Sequence, residues 1–123
     1  MSITILYQSS GPAGAIIGTN SYSLSATATS TSASVASTGV YQAYVDFSNL
    51  VTSDAYELSC WEKAHANATQ QLLESWIYRH PVSKPLAVTP ALTLSEGWDF
   101  RLTRIGNATS TALGIPYSVR KIA

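Results

Sequence analysis

The stretch Gly97-Trp98-Asp99-Phe100-Arg101-Leu102-Thr103-Arg104 decides the fold class predicted for this chain. Its apolar residues alternate with polar ones, which is the period-two pattern of a strand with one buried and one wet face. Residues 113–122 alternate less cleanly, and Gly106-Asn107 offers a turn between the two segments. The sequence therefore predicts a C-terminal β-hairpin whose apolar face forms the densest part of the core: Trp98, Phe100, Leu102, Ile115, Tyr117 and Val119.

Alternating segments of the same kind recur earlier in the chain. A short first strand is predicted over residues 3–7, and two regular strands begin at Tyr41 and Tyr56 with those residues on the core face. Residues 69–78 include helix-compatible residues, but their aromatic and β-branched second half favours a strand. Two prolines limit the strands predicted between residues 86 and 94 to short edge or loop-flanking pieces.

Together these segments predict a single all-β domain over residues 1–123. Seven to nine short strands without a long amphipathic helix are typical of an antiparallel β-sandwich or a jelly-roll-like fold. Within residues 1–40, the segment 21–38 is rich in Ser, Thr and Ala and offers little apolar area for burial. It is predicted to be either a pair of sheet-edge strands or an arm that becomes ordered against a neighbouring molecule.

The composition excludes several classes of function. Only 11% of the residues are charged, and Lys+Arg 7 balances Asp+Glu 7, so the formal net charge is zero. A surface with so few charges suggests that part of it is covered in the working state. The cations are scattered and form no basic stripe, which argues against nucleic acid as a partner. No apolar window is long enough to span a membrane, and the N-terminus lacks the features of a secretory signal, so synthesis in the cytoplasm is expected.

No reactive constellation is visible. His65 and His80 have no partners at a recognised metal-ligand spacing, and Cys60 lies in an apolar alternation where a small hydrophobic residue would serve. The carboxylates, Asp99 among them, each have an explanation as turn or wet-face residues. The sequence therefore predicts a non-enzymatic protein without catalytic residues, cofactor or metal site.

Large aromatic residues fall on both faces of the predicted strands. With Tyr56 on the core face, Trp61 points outward, and Tyr44 points outward from the preceding strand. In the strand over residues 69–78, either Trp76 and Tyr78 or Leu73 and Ile77 point outward. Because aromatic residues are enriched in interface cores, the predicted partner interface consists of four residues: Tyr44, Trp61, Trp76 and Tyr78.

The order of strands and turns in residues 41–122 resembles that of small virion structural proteins of tailed bacteriophages. The resemblance lies in the segments 41–50, 54–58, 61–63, 90–94, 97–102 and 115–120. Within that group the chain is most similar to capsid decoration, or cement, proteins, which are short, sandwich-like and often trimeric on the head surface. Residues 1–40 carry no resemblance, although the segment 21–38 suits the arm by which such proteins hold neighbouring subunits.

The resemblance implies a protein that is made in the host cytoplasm and works on the capsid surface of the virion. Its expected partners are major capsid protein subunits and further copies of itself, as a homotrimer or another homo-oligomer. A neck, tail or fibre component is the alternative within the particle. A carbohydrate-binding module is the alternative from another class, because small sandwiches often bind sugars through exposed aromatic residues.

Overall fold

The computed structural model describes residues 3–9, 11, 14–25, 32–106 and 114–123. These residues form strands and no helix, which confirms the all-β prediction. The described strands are β1 (Thr4–Gln8), β2 (Ala15–Ile16), β3 (Tyr22–Ser23), β4 (Gly39–Asp46), β5 (Ala55–Glu62), β6 (Gln71–Arg79), β7 (Leu86–Val88), β8 (Leu92–Leu94), β9 (Asp99–Gly106), β10 (Gly114–Ile115) and β11 (Tyr117–Lys121). The described part of the chain thus has 11 strands, more than the predicted seven to nine, because three of them are two-residue pieces.

Two antiparallel sheets make up most of the molecule. Sheet 1 has the strand order β1-β11-β4-β7, with β8 also paired to β4, and sheet 2 has the order β3-β9-β5-β6. Strands β10 and β2 form a separate short pair. A single cluster of buried apolar side chains from both sheets forms the core, so the fold is sandwich-like.

The core is built by the predicted alternation. Along β4 the residues Tyr41, Ala43 and Val45 are buried, and the intervening residues are partly exposed. Strand β5 buries Tyr56, Leu58 and Cys60, and the intervening Ser59 is buried as well. The six core residues predicted near the C-terminus are also buried, namely Trp98, Phe100, Leu102, Ile115, Tyr117 and Val119.

The predicted C-terminal hairpin is wrong, although its two strands exist. Strand β9 lies between β3 and β5 in sheet 2, whereas β11 lies between β1 and β4 in sheet 1. Asn107 and Leu113, at the predicted turn and the start of its return strand, are outside the described residues. Both strands present an apolar face to the shared core from opposite sides. Alternation identifies the buried face of a strand, but it carries no information about which strand is its neighbour.

The described parts of the Ser/Thr/Ala-rich segment lie against the chain's own sheet. Strand β3 pairs with β9, and the Leu24 amide donates to the Phe100 carbonyl at 2.8 Å. Further along, Val35 and Trp98 exchange backbone hydrogen bonds of 2.9 and 3.0 Å. These parts follow the edge-strand alternative of the prediction. Residues 26–31 are outside the described residues.

Asp99 departs from the expected wet face, since it is fully buried. Its carboxylate accepts hydrogen bonds from the Ser23 hydroxyl at 2.7 Å, the Ala33 amide at 2.9 Å and Arg101 Nε at 2.8 Å. The segments around residues 23 and 33 cover this end of β9, so the face that local alternation marks as wet is not exposed to solvent. A carboxylate buried in this way is stabilised by the donors that converge on it.

A second buried carboxylate lies just before β5. Asp54 pairs with Arg104 of β9, with 2.9 Å between Oδ1 and Nη2, and its Oδ2 accepts from the Val51 amide at 2.9 Å. The side chains of Asp54 and Arg104 are only 5% and 3% exposed. In the same turn Ser53 has a φ of 74°, in the left-handed region that favours glycine. The turn and the ion pair together fix where β5 begins against β9.

Candidate functional site

The outer face of sheet 1 contains an open groove of about 430 Å³. Strands β1, β4, β7 and β11 line it. Tyr44 and Asp46 alternate with the buried residues of β4, so their side chains point away from the core. Ile5 and Leu86 lie at its sides and are 50% and 57% exposed. Three polar or aromatic side chains from the middle of the sheet, Tyr44, Asp46 and Arg120, also line it.

An arginine guanidinium lies over a tyrosine ring in the groove. The guanidinium carbon of Arg120 is 3.8 Å from the centroid of the Tyr44 ring. Arg120 Nε donates to the Ser118 hydroxyl at 3.0 Å, and the Tyr44 hydroxyl donates to Gln42 Oε1 at 3.3 Å. Stacking and hydrogen bonding orient the guanidinium before any ligand arrives, which lowers the entropic cost of binding a carboxylate.

The groove also carries the opposite charge. Asp46 lies on the same face of β4 as Tyr44, and its Oδ1 accepts from the Ser48 amide at 2.9 Å. Leu86 pairs with Asp46 across β4 and β7, and Val88, which is 41% exposed, pairs with Tyr44. The face therefore combines one fixed cation, one carboxylate and half-exposed aliphatic groups.

Trp61 lies on the outer face of the other sheet. Its indole Nε1 donates to the Ser59 hydroxyl at 2.9 Å, and the Arg101 guanidinium carbon is 4.5 Å from its ring centroid. Arg101 is in turn held by Asp99 and by the side-chain oxygen of Gln70. The indole is therefore part of a polar network that covers the end of β9.

Trp76 and Tyr78 are partly buried and pack against the core. Tyr78 pairs with Tyr56 across β5 and β6 and stacks on Phe47 with a centroid distance of 4.8 Å. Burial raises the pKa of the Tyr78 hydroxyl. Of the two predicted alternatives for this strand, the structure has Leu73 and Ile77 pointing outward, at 50% and 52% exposure.

The four predicted interface residues therefore do not form one surface. Tyr44 belongs to the groove on sheet 1, Trp61 to the outer face of sheet 2, and Trp76 and Tyr78 to the inner packing of β6. One ring face of Tyr44 and one of Trp61 are covered by arginines, and Trp98 is fully buried. These arginines leave at most one ring face each on Tyr44 and Trp61 for a sugar to stack on, and Trp98 offers none.

The titratable groups are dispersed. Cys60 is buried, and burial, followed in size by the charge of Glu62, raises the pKa of its thiol to about 12. His65 is exposed, and its Nδ1 accepts from the Asn67 amide at 3.1 Å. Among the described residues, no three His, Cys, Asp or Glu side chains are arranged to hold a metal ion.

Sequence reasoning missed Arg120 as a site residue. Since Val119 is predicted on the core face, alternation predicts that the Arg120 side chain points outward. The contact of Arg120 with Tyr44 could not be predicted from the sequence, because β4 and β11 are far apart in the chain and become neighbours only in the folded sheet.

No helix within the described ranges is long and apolar enough to span a lipid bilayer. Comparison with known protein families found no family model that matches the chain, and no curated protein is significantly similar to it.

Proposed function

We propose that the protein is a non-enzymatic structural component of a tailed-bacteriophage particle, which binds the assembled capsid shell as a homo-oligomeric decoration protein. The observation that carries the proposal is the outer face of sheet 1. There the stacked Arg120 and the Asp46 carboxylate lie among half-exposed aliphatic side chains. Apolar contact area combined with a few oriented charges is the usual composition of a protein–protein interface.

The partner is the major capsid protein, at the joint between neighbouring subunits. Leu86, Val88 and Ile5 would lose their solvent-exposed area to this partner. At about 25 cal/mol per Å², burying a few hundred Å² of apolar surface contributes several kcal/mol before the costs of association are subtracted. Arg120 would meet a carboxylate of the capsid subunit, and its fixed geometry would set the orientation of binding.

The resemblance of residues 41–122 to virion structural proteins supports the particle as the setting. The low charge supports a surface that is covered during function, because 11% charged residues is well below the typical value of ~25%. A neck, tail or fibre component would use the same groove. Copy number distinguishes these positions, since a decoration protein is present in hundreds of copies per particle and a neck or tail protein in a dozen or fewer.

The test is co-sedimentation of the purified protein with expanded empty capsids of the same phage. Leu86→Lys places a charge on the exposed side of β7, and we expect it to weaken capsid binding by about tenfold or more. Ile16→Lys is the matched control, because Ile16 is 65% exposed on β2 and does not line the groove. Wild-type protein that remains in the supernatant, or equal loss of binding in both variants, would contradict the proposal.

A further inference from the structure

The groove on sheet 1 contains two opposite charges that do not pair with each other. Within the part of the chain that the structure describes, no ion pair includes Arg120 or Asp46. Both residues are partly buried. A charge that has lost part of its hydration is stabilised when a partner brings a hydrogen-bonding group of opposite charge. The groove therefore favours an occupant that carries both a carboxylate and a cation.

Backbone geometry determines how far apart the two charges lie. The Arg120 guanidinium carbon is 3.8 Å from the centroid of the Tyr44 ring. Asp46 follows Tyr44 by two residues on the same face of β4. Side chains at such positions stand about 7 Å apart along a strand. The cation and the carboxylate are therefore separated by roughly one two-residue repeat of an extended chain.

An aliphatic side chain lies beyond each charge. Ile5 pairs with Arg120 across β1 and β11, and Leu86 pairs with Asp46 across β7 and β4. Three strand spacings separate Ile5 from Leu86 across the sheet, and four residues separate them along β4, because Arg120 pairs with Gln42. With the usual spacings of a sheet, the diagonal between them is roughly 20 Å. Along this diagonal the order is aliphatic, cation, carboxylate, aliphatic.

An extended polypeptide segment can match this order and these distances. In a strand every second side chain lies on the same face, and residues six positions apart are about 20 Å apart. A segment with an aliphatic, an acidic, a basic and a second aliphatic residue at alternate positions would bring its carboxylate to Arg120 and its cation to Asp46. Its aliphatic residues would then cover Ile5 and Leu86, which are 50% and 57% exposed.

We propose that the groove on sheet 1 binds an extended segment of a partner protein in which an acidic and a basic residue lie two positions apart, each followed outward by an aliphatic residue. This inference rests on the proposed function only for the source of the segment, which is the major capsid protein. Arg120 and Asp46 select the segment, because two acidic or two basic residues would bring like charges together in the groove.

The first test uses a synthetic nonapeptide with blocked ends as the probe. Leucine, glutamate, lysine and leucine occupy its second, fourth, sixth and eighth positions, and alanine occupies the others. Isothermal titration calorimetry with the full chain should show saturable binding of one peptide per chain below about 1 mM. Replacing the glutamate of the peptide by glutamine should weaken binding about tenfold, and replacing its lysine by glutamine should do the same.

Variants of the protein assign each charge of the peptide to its partner. Arg120→Gln should bind the glutamate and the glutamine peptide equally, and Asp46→Asn should bind the lysine and the glutamine peptide equally. A variant that merely distorts the groove would weaken all peptides alike. Arg79→Gln and Glu74→Gln are the matched controls, because they remove the same charges from exposed positions of β6 and should leave every affinity unchanged. Circular dichroism establishes that each variant is folded.

A peptide with glutamate and lysine four positions apart tests the conformation of the segment. This spacing puts both charges on one face of a helix, whereas in an extended chain it separates them by about 13 Å. We expect it to bind about tenfold more weakly than the probe. Equal or tighter binding would overturn the extended conformation.

Three other results would overturn the inference: no saturable binding up to about 1 mM, equal affinity of the wild type for the charged and the glutamine peptides, or a wild-type dimer that the peptide dissociates. The last result would show that a second copy occupies the groove. None of these measurements involves the capsid. A protein that binds the peptide but fails to co-sediment would contradict the proposed function alone, and a protein that co-sediments but does not bind the peptide would contradict the inference alone.

Discussion

Removing the buried carboxylate of Asp54 should destabilise the protein strongly. Its Oδ1 is 2.9 Å from Arg104 Nη2, and the two side chains are only 5% and 3% exposed, so water cannot replace the lost partner. Breaking a buried ion pair on one side typically costs about 3–5 kcal/mol. Asp54→Ala also removes the acceptor of the Val51 amide hydrogen bond, worth about 1 kcal/mol. We expect a total loss of about 4–6 kcal/mol.

A series of variants separates the two contributions. Asp54→Asn keeps an oxygen for the Val51 amide and removes the charge, so it should cost about 3 kcal/mol. Asp54→Leu combined with Arg104→Met replaces both charges by apolar groups. It should recover at least half of the loss, because it leaves no unpaired buried charge.

Urea unfolding followed by tryptophan fluorescence measures these free energies, and thermal unfolding should show a Tm for Asp54→Ala that is lower by roughly 15–25 °C. A loss below about 1 kcal/mol for Asp54→Ala would refute the reasoning, because it would mean that the pair is effectively solvated. A double variant that is less stable than Asp54→Ala would also refute it. The stability lost in Asp54→Ala could then not be due to an unpaired buried charge on Arg104.

Three further predictions concern stability. Ser53→Gly should stabilise the protein by about 0.5–1 kcal/mol in urea unfolding, because glycine adopts the φ of 74° without strain, and an unchanged or lower stability would contradict this. Above pH 9 the unfolded chain loses the Cys60 proton, whereas the folded chain keeps it up to a pKa of about 12. The free energy of unfolding should therefore fall by up to about 1.4 kcal/mol per pH unit across this range, and Cys60→Ala should reduce that slope. Identical slopes of unfolding free energy against pH in the wild type and in Cys60→Ala would exclude Cys60 as the cause. Removing residues 97–123 takes β9 and β11 out of the two sheets, so circular dichroism should show no cooperative unfolding, and a soluble fragment that unfolds cooperatively would show that the core lies elsewhere.

Local alternation determined most of the strands and their buried faces. The pattern in Tyr41, Ala43 and Val45 identified β4, and the same reasoning identified β5 and the core residues of β9 and β11. Because side chains alternate between the two faces of a strand, the polarity of successive residues shows which face of a half-buried strand is buried. These predictions did not require knowledge of the topology.

Alternation failed where a face is covered by a distant segment. Asp99 was expected on a wet face, but the segments carrying Ser23 and Ala33 bury it. Trp76 was one of two outward candidates for β6, and the structure turns it inward opposite Leu58. In both cases burial depends on residues that are far away in the chain.

The sequence by itself thus determined an all-β protein and the core residues of β4, β5, β9 and β11. Tertiary structure alone decided that β9 and β11 belong to opposite sheets, that Arg120 stacks on Tyr44, and that β6 is a long edge. The physical reason is that the direction of a side chain follows from local backbone geometry, whereas strand neighbours, grooves and edges arise from the pairing of segments far apart in sequence.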